Sequence, residues 1–364
     1  MRITICGDVC AHFTADYFRN NQIDFLFNSV TNELKNSTRS LFNLESAITE
    51  RETPIKKKGP NLKSPIETAK VLKEVGFTDC GVSNNHFFDY GYEGVADTML
   101  ALKQAGINAT GFGANYEGAR KDLIIEENGI KVAIIAVCEH EYSFALENRA
   151  GTRVFDPFDT IIDIREAKKT CDKVIVTYHG GKEYSIYPSP RLRKACKAMV
   201  KAGADVVLCQ HSHCIGCYEK FEGATILYGQ GNFHFTGDGD TDPLLQTGLI
   251  VHIDIESEVS VSFVPTVVLE NGISIDVATG EQRQKILQKL EEDSLSLHNG
   301  VWREQWREFC LSIAERYYGN IERAYTSNAW ESDNEIFNGR MHCEAHKDVI
   351  DELFKHSWEE RENP

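Results

Sequence analysis

The chain of 364 residues lacks the long apolar runs and the leader that mark membrane and secreted proteins. No apolar run approaches the roughly 20 residues that a helix needs to span a bilayer, so no membrane span is predicted. The amino terminus enters a strand-like run directly, without a basic segment, an apolar segment and a small-residue cleavage site. We therefore expect a cytoplasmic protein.

Positive charge is also in short supply, since 39 lysines and arginines face 55 aspartates and glutamates and give a formal net charge of -16. This balance argues against nucleic acids and anionic membrane surfaces as partners, because both attract basic protein surfaces. It leaves room for a small or polymeric anionic substrate, because a bound metal ion can reverse the local field.

A compact disulfide framework is missing as well, although the chain has 11 cysteines. The count is odd, and several cysteines, such as Cys6, Cys138 and Cys209, lie within apolar strand-like runs. Such cysteines are typical of buried thiols in a reducing compartment.

Strand-like runs alternate with amphipathic segments up to about residue 275. Strands are predicted over 3–6, 41–42, 80–83, 130–138, 174–178, 206–209, 225–228, 248–255 and 259–264. Helices are predicted over 92–105 and 190–202, each followed by glycine, and another is predicted to begin at the capping box Ser64-Pro65-Ile66-Glu67. The alternation indicates α/β layers rather than a helix bundle or an all-β sandwich.

The composition changes after about Ile275, where helical patterns cover 280–290, 301–325 and 344–356. We predict two domains, a core over 1–275 and a helical appendage over 276–364 that packs on the core and could form a homo-oligomer interface. The appendage holds every tryptophan of the chain, and we interpret them as core residues: Trp302, Trp306, Trp330 and Trp358.

Side chains of the types that bind metals follow several predicted strands. The clearest case is His211-Ser212-His213, directly after an apolar run, because alternate residues of an extended backbone point to the same side. Other predicted strands end at Asp8, Glu45, Asn85-His86 and His179. Carboxylate, amide oxygen and imidazole bind divalent metals, and α/β sheets form sites at the carboxyl ends of their strands. The pattern predicts a metal-dependent hydrolase.

Each of these residues taken singly has an ordinary structural explanation. Asp8 could cap a helix, and Glu45 could be a solvated charge. Asn85 and His86 could form a simple turn, and His179 could be a satisfied histidine beside a glycine bend. Five strand ends that each carry a ligand-type side chain make coincidence the weaker explanation.

Several other patterns carry weaker signals. Glu183 could orient His179 or His211 as an outer partner, or be a surface glutamate. The basic run over 56–58 could attract an anion, although a solvated loop is favoured. Two further spacings resemble metal motifs, but neither is predicted to bind a metal. Cys214 and Cys217 lack a second cysteine pair, and His342 and His346 lack a correctly placed glutamate between them.

The motifs, taken in order, resemble those of the CapA family, also called the poly-γ-glutamate capsule biosynthesis family, within the calcineurin-like metallophosphoesterase superfamily. The resemblance covers roughly Met1–Phe235 and implies a four-layer α-β-β-α sandwich. The matching segments are Gly7-Asp8, Asn43-Leu44-Glu45, Asn84-Asn85-His86 with Asp89-Tyr90-Gly91, His179-x-Gly181-x-Glu183-Tyr184, Gly203-Ala204-Asp205, His211-x-His213 and Gly231-Asn232-Phe233.

The resemblance also implies two divalent metal ions, with Mn, Fe or Zn expected, and a role for each ligand. Asp8 and His213 would hold one metal, and Glu45 would bridge the two. The other metal would be held by Asn85, His179 and His211. His86 would act beside the metals as the acid or as an electrostatic group.

The chain departs from the superfamily pattern at three positions. Cys10 stands where superfamily members usually have histidine, Glu45 replaces the usual bridging aspartate, and Gln210 replaces a glycine. Cys10 could bind a soft metal and His12 could occupy the missing position, although packing roles are favoured for both. One metal site could therefore be weak or absent.

Three functions follow as hypotheses. The leading one is a CapA-type hydrolase that uses two metals to activate water against a phosphoester or an amide-linked anionic substrate. The second is a non-catalytic accessory protein in capsule polymer biosynthesis or export. The third is a degenerate metal fold that binds partners through its appendage.

Overall fold

The computed structural model describes residues 1–237, 239, 241–319 and 339–362. Two large sheets form its centre. The first sheet has eight strands: β1 (Arg2–Cys10), β2 (Arg39–Leu44), β5 (Asp79–Gly81), β6 (Asn108–Thr110), β15 (Asn232–Phe235), β16 (Thr247–Ile255), β17 (Val259–Val268) and β18 (Ile275–Val277). Its order is β18-β17-β16-β1-β2-β5-β6, and β15 also pairs with β1.

The second sheet has six strands in the order β13-β14-β12-β11-β9-β8. They are β8 (Leu123–Glu127), β9 (Ile130–Cys138), β11 (Lys173–His179), β12 (Val206–Gln210), β13 (Tyr218–Phe221) and β14 (Ala224–Leu227). Two short ladders complete the strands: β3 (Ala47–Ile48) with β4 (Lys63–Ser64), and β7 (Phe112–Gly113) with β10 (Gly151–Thr152).

The helices lie between or after these strands. They are α1 (Ala15–Arg19), α2 (Ile23–Phe27), α3 (Val30–Lys35), α4 (Thr68–Val75), α5 (Gly91–Ala105), α6 (Tyr116–Ala119), α7 (Asp159–Thr170), α8 (Pro190–Ala202), α9 (Gly280–Asn299), α10 (Trp302–Ser312) and α11 (Glu344–Glu362). Helix α8 begins where the sequence predicts, because the Ser189 side chain accepts a hydrogen bond from the Leu192 amide and proline occupies the first turn.

Three apolar clusters separate the layers of the sandwich. One lies between the sheets and includes Ile5 of β1 and Ile134 of β9. A second joins the outer face of the first sheet to helices α1–α5, and a third joins the outer face of the second sheet to α7 and α8. This arrangement is the four-layer α-β-β-α sandwich that the resemblance implies.

The central strands of each sheet run parallel. Strands β1, β2, β5 and β6 pair in parallel, as do β9, β11, β12 and β14. At the carboxyl end of β1, Gly7 lies so close to Gly231 that an added Cβ would meet the Gly231 carbonyl oxygen at 1.9 Å. Asn43 of β2 lies 3.0 Å from His179 at the end of β11, so the carboxyl ends of both parallel sets converge on one edge of the sandwich.

The capping-box prediction at Ser64 is wrong, because the helix begins four residues later at Thr68. Ser64 belongs to β4, and its hydroxyl accepts a hydrogen bond from the Ala11 amide and contacts the Ser46 hydroxyl. A tertiary contact thus uses the hydroxyl that local pattern assigns to a cap.

The helices after β18 pack on the sandwich and on one another. Leu290 of α9 joins the cluster between the sheets, and Trp302 joins the cluster outside the second sheet. Trp306 lies in a separate cluster with Val349 and Leu353 of α11. The helix predicted over 280–290 extends over 280–299. The helix predicted over 301–325 appears as 302–312 followed, after a turn at Ile313, by helical residues 314–319, and residues 320–325 lie outside the described residues.

The interpretation of Trp330 and Trp358 as core residues concerns side chains outside the described part of the chain. Within the part of the chain that the structure describes, no helix combines the length and the apolar character needed to cross a membrane. All 11 cysteines are buried and none forms a disulfide.

Candidate metal centre

The edge where the parallel strands end carries the six residues that the sequence proposes as metal ligands. Asp8 lies near the end of β1, Glu45 directly follows β2, and His179 ends β11. Asn85 lies in the segment after β5, and His211 and His213 follow β12. Both sheets therefore contribute side chains to one buried cluster.

Glu45, His179 and His211 form the first group, with one possible ligand atom from each within 4.8 Å of the others. The Nε2 atom of His179 lies 3.3 Å from Oε1 of Glu45 and 3.0 Å from Oδ1 of Asn85. The Nδ1 atom of His211 lies 3.9 Å from the same Glu45 oxygen. The structure thus brings these four proposed ligands together.

Asp8, Glu45 and His213 form the second group under the same 4.8 Å limit. The Nδ1 atom of His213 lies 3.6 Å from Oδ2 of Asp8, and its Nε2 atom lies 3.9 Å from Oε1 of Glu45. Glu45 belongs to both groups. Its carboxylate therefore occupies the position of a bridge between two adjacent metal positions.

The donor atoms of the cluster fit metal binding better than hydrogen bonding. Glu45 is fully buried, and neither of its carboxylate oxygens has a hydrogen-bond partner among the described residues. The same holds for the buried Nδ1 atom of His211. Buried polar atoms are seldom left in this state, because their desolvation is not compensated. Divalent metal ions would supply the missing partners to these same atoms.

The two histidines after β12 do not project from an extended backbone, so the expectation that they alternate along a strand is wrong. His211 has a φ of 80° and His213 a φ of 57°, both in the left-handed region. Such a backbone is costly for residues other than glycine and clusters at functional sites. The turn directs the two rings to different groups, with their centroids 6.1 Å apart.

Two asparagines that the ligand prediction omits contact the cluster from outside. Asn43 donates a hydrogen bond of 2.7 Å to Oδ1 of Asp8 and lies 3.0 Å from Nδ1 of His179. Oδ1 of Asn232 lies 2.9 Å from Nδ1 of His213. Contacts of this kind fix the orientation of metal-binding side chains. The available signal was their place inside the motifs Asn43-Leu44-Glu45 and Gly231-Asn232-Phe233.

His86 lies beside the cluster rather than within it. Its Nδ1 atom lies 2.7 Å from Oδ2 of Asp89, and Lys57 forms an ion pair with the same carboxylate. The side chain of Lys57 is only 1% exposed, so the expectation of a solvated basic loop is wrong at this position. Asp89 instead contacts the Nδ1 side of the His86 ring, and Lys57 pairs with Asp89.

A cleft of about 320 Å³ opens over this edge of the sandwich. Its walls include His86, Glu183, Tyr184, His213 and Arg316. Arg316 belongs to the appendage, so residues from both predicted domains line the same cleft. The cleft gives a substrate access to the residues next to the cluster.

Glu183 pairs with Lys182 rather than with His179 or His211. Burial raises the pKa of Glu183, but Lys182 together with the charges of His211 and His213 outweighs it and holds that pKa well below its usual range. The ring of His12 packs edge-on against Phe13, and its Nδ1 atom lies 3.1 Å from the Lys63 carbonyl oxygen. Among the described residues, no group with metal-binding geometry includes Cys10, His12, Cys214 or Cys217.

The ionisable groups of the cluster perturb one another strongly. Burial and the charge of Glu45 raise the pKa of Asp8 to about 7. Burial lowers the pKa of His179 to about 4. Burial also opposes the charge on His211, yet Glu45, Glu183 and Glu141 raise its pKa to about 9. Without a metal, the raised pKa values favour protons on His211 and Asp8, two of the groups that would have to bind one.

The fold and the site together define a four-layer α-β-β-α sandwich with buried carboxylate and imidazole groups that could hold metal ions. The sequence model of the family described as "Bacterial capsule synthesis protein PGA_cap" matches residues 2–236. The chain belongs to this family, which confirms the resemblance seen in its motifs.

Individual relatives carry related names. The chain is 31% identical over 245 residues to "Capsule biosynthesis protein CapA" of Bacillus anthracis, a match that covers 65% of this chain and 60% of the relative. It is 28% identical over 205 residues to "Probable polyglutamine synthesis accessory protein Rv0574c" of Mycobacterium tuberculosis, covering 53% and 54%. The chain thus spans little more than half the length of these relatives.

A solved structure of a hypothetical protein from Thermus thermophilus superposes with a TM-score of 0.47 at 15% identity. The superposition covers 73% of this chain and 98% of that chain. This similarity is distant.

Proposed function

We propose that the chain is a metal-dependent hydrolase with two divalent metal ions, Mn, Fe or Zn, bridged by Glu45. The observation that carries the proposal is the Glu45 carboxylate. It is fully buried, lacks hydrogen bonds from the described residues at both oxygens and belongs to two groups of ligand-type side chains. A carboxylate that served only the fold would have a paired donor at such a depth.

The ligand assignment follows the two groups. Asp8 and His213 hold one metal, while His179, His211 and Asn85 hold the other. When bound, the metals supply Lewis-acid activation of water and stabilise the charge that develops during displacement at phosphorus or carbonyl carbon. Asn43 and Asn232 hold Asp8, His179 and His213 in position.

His86 is the proposed general acid. Asp89 lies against its Nδ1 atom, so Nε2 is the nitrogen left to face the cleft. From there, Nε2 can donate a proton to the leaving group or a hydrogen bond to developing charge. Glu183, which lines the same cleft, acts as a positioning residue through its ion pair with Lys182.

The proposed substrate is an anion with a phosphoester or an amide bond, in capsule or poly-γ-glutamate metabolism. The family description and the name of the Bacillus anthracis relative support the capsule context. Arg316 in the cleft wall provides a positive charge for an anionic group. Assays on both bond types distinguish attack at phosphorus from attack at carbonyl carbon.

A non-catalytic role in polymer biosynthesis is the second candidate. The name of the Mycobacterium tuberculosis relative, an accessory protein, favours it. The two candidates differ in one respect that can be measured. Substitution of the metal ligands should abolish catalytic turnover in a hydrolase. An accessory protein has no catalytic turnover to lose.

The test is to purify the full chain without chelators, to measure bound metal by elemental analysis, and to assay a panel of phosphomonoesters, phosphodiesters and γ-glutamyl amides. We expect at least two metals per chain and turnover of at least one substrate class. His211→Ala is expected to lower both metal content and turnover. His12→Ala is the matched control, because His12 lies nearby but outside both groups, and it is expected to retain both.

Metal-loaded protein that is inactive on the whole panel would support the accessory role instead. Metal content that is unchanged in His211→Ala would contradict the ligand assignment itself.

A further inference from the structure

A third group of ligand-type side chains lies outside the proposed two-metal cluster. It consists of Glu141, Cys343 and His346, whose candidate donor atoms lie within 4.8 Å of one another. Glu141 follows β9 of the sandwich, whereas Cys343 and His346 belong to the appendage. This group therefore joins the two parts of the chain.

Hydrogen bonds between backbone and side chains hold the two segments in register. Oε2 of Glu139 accepts a hydrogen bond of 2.9 Å from the Ala345 amide, and it also accepts from the Cys343 thiol at 3.5 Å. On the other side, the His140 amide donates to Oε2 of Glu344 at 2.8 Å. The segment 139–141 and the start of α11 are thus fixed against each other before any ligand is added.

The appendage residues project from one side of a helix start. Cys343 directly precedes α11, and its carbonyl oxygen accepts a hydrogen bond from the Lys347 amide. His346 lies three residues further on, at a spacing that places two side chains on the same face of a helix. Nδ1 of His346 lies 2.7 Å from the Tyr317 hydroxyl, which holds the ring as an outer partner holds a metal-binding histidine.

The Glu141 carboxylate has few charged neighbours. Its carboxylate forms one ion-pair contact among the described residues, to Nε2 of His211 at the long distance of 3.9 Å. Cys343 is only 1% exposed. A carboxylate, a thiolate and a neutral imidazole together carry two negative charges, which a divalent ion would neutralise.

We propose that Glu141, Cys343 and His346 bind a zinc ion that fastens the appendage to the sandwich beside the two-metal cluster. Thiolate, imidazole and carboxylate are the ligands of zinc in proteins, and a water completes the four-coordinate geometry. The site unites residues that are far apart in the sequence. Zinc binding therefore stabilises the docked position of the appendage, whose Arg316 lines the cleft.

The zinc site can be tested separately from the proposed hydrolase activity, because the two-metal cluster contains no thiolate ligand. Cobalt(II) makes the difference visible, since sulfur bound to cobalt gives a charge-transfer band in the near ultraviolet that nitrogen and oxygen ligands do not give. The full chain is stripped of metal, loaded with excess Co²⁺ and recorded next to its variants.

The expected result is a sulfur-to-cobalt band in the wild-type chain that Cys343→Ser abolishes, with one metal fewer per chain by elemental analysis. Cys10→Ser and Cys310→Ser are matched controls, since both remove a buried thiol outside the group, and both are expected to keep the band. Absence of the band from the wild-type chain, or its persistence in Cys343→Ser, would overturn the proposal.

A second variant covers the case in which Cys343→Ser does not fold. His346→Gln keeps the thiol and removes one nitrogen ligand. It is expected to weaken zinc binding, measured by competition with a chelator, by more than about 100-fold, since loss of an outer partner alone costs about 10–100-fold. Zinc affinity equal to that of the wild-type chain would also overturn the site.

Discussion

The two ends of strand β2 lie beside buried carboxylates in opposite states. At the amino end, Asp79 of the neighbouring strand β5 is fully buried and receives donors from three residues. Nε of Arg39 lies 2.7 Å away, the Thr78 hydroxyl 2.7 Å and the Asn108 amide 2.9 Å. At the carboxyl end, Glu45 is equally buried, and neither oxygen has a hydrogen-bond partner in the described part of the chain.

The presence or absence of hydrogen-bond donors distinguishes a carboxylate that stabilises the fold, Asp79, from one that is proposed to bind a metal, Glu45. The donors around Asp79 come from the amino ends of three adjacent parallel strands, and they compensate its desolvation. Around Glu45, the neighbours are imidazoles and another carboxylate, the side-chain types that bind divalent cations. A buried carboxylate with hydrogen-bond donors is compatible with a stable fold. A buried carboxylate without donors lowers stability and is retained where function requires it.

The largest effect is expected from Glu45→Gln, which tests the functional end directly. Removing the bridging charge should empty both proposed metal positions and reduce hydrolysis to background. Elemental analysis and the substrate panel measure the two quantities. Metal content equal to that of the wild type would contradict the bridging role of Glu45.

The next effect is expected from His86→Gln, in the segment after the carboxyl end of β5. Loss of the proposed acid should reduce turnover by about 10²–10⁴-fold. Metal content should stay at the wild-type value, because His86 lies in neither group. A variant with an empty site would instead assign His86 to metal binding or to the structure.

Asp79→Asn probes the other end of β5 and should act on stability alone. The substitution leaves the Arg39 guanidinium without its carboxylate. Breaking a buried pair costs about 3–5 kcal/mol, and we expect about 3 kcal/mol because Arg39 reaches solvent. Urea unfolding measures the loss, and the metal content of the folded fraction should be unchanged. A loss of metal without a loss of stability would reverse the assignment of the two ends.

The smallest effect concerns proton release on metal binding. At pH 7 the groups with raised pKa values, about 9 for His211 and about 7 for Asp8, hold protons that the metals must displace. Metal affinity should therefore rise with pH, by about tenfold per unit for each proton released, and level off above about pH 9. Calorimetry in buffers of different ionisation enthalpy counts these protons. An affinity that is flat between about pH 6 and 9 would contradict the protonated state of the cluster.

The sequence indicated the layers and the convergence of ligands for a clear reason. Strand runs such as 130–138 and the capped helix after Ser189 depend on local pattern, and both appear as predicted. In parallel sheets, carboxyl ends meet at one edge, so strand-end residues are expected near one another. Ser64 shows the limit of this reasoning, because a contact with Ala11 decides the use of its hydroxyl.

Residues that support the site were harder to predict. Lys57 belongs to a basic run that is usually solvated, yet Asp89 draws it into a buried ion pair. Glu141 belongs to no motif, and Cys343 lies between His342 and His346, a spacing that was not predicted to bind a metal. The proximity of Glu141 and Cys343 arises only because α11 docks on the end of β9. The partner of Glu183 was likewise decided by the fold around Lys182.

Local pattern along the chain was enough to indicate the α/β character, the order of the strands and the types of side chain at their ends. These features depend on periodicity and on chemistry that each residue carries alone. Packing in three dimensions sets which side chains form each candidate metal group, because His211 and His213 diverge through a left-handed turn. It also decided that Glu45 stands without hydrogen bonds from the described residues while Asp79 has three donors, since satisfaction of a buried group depends on neighbours distant in sequence.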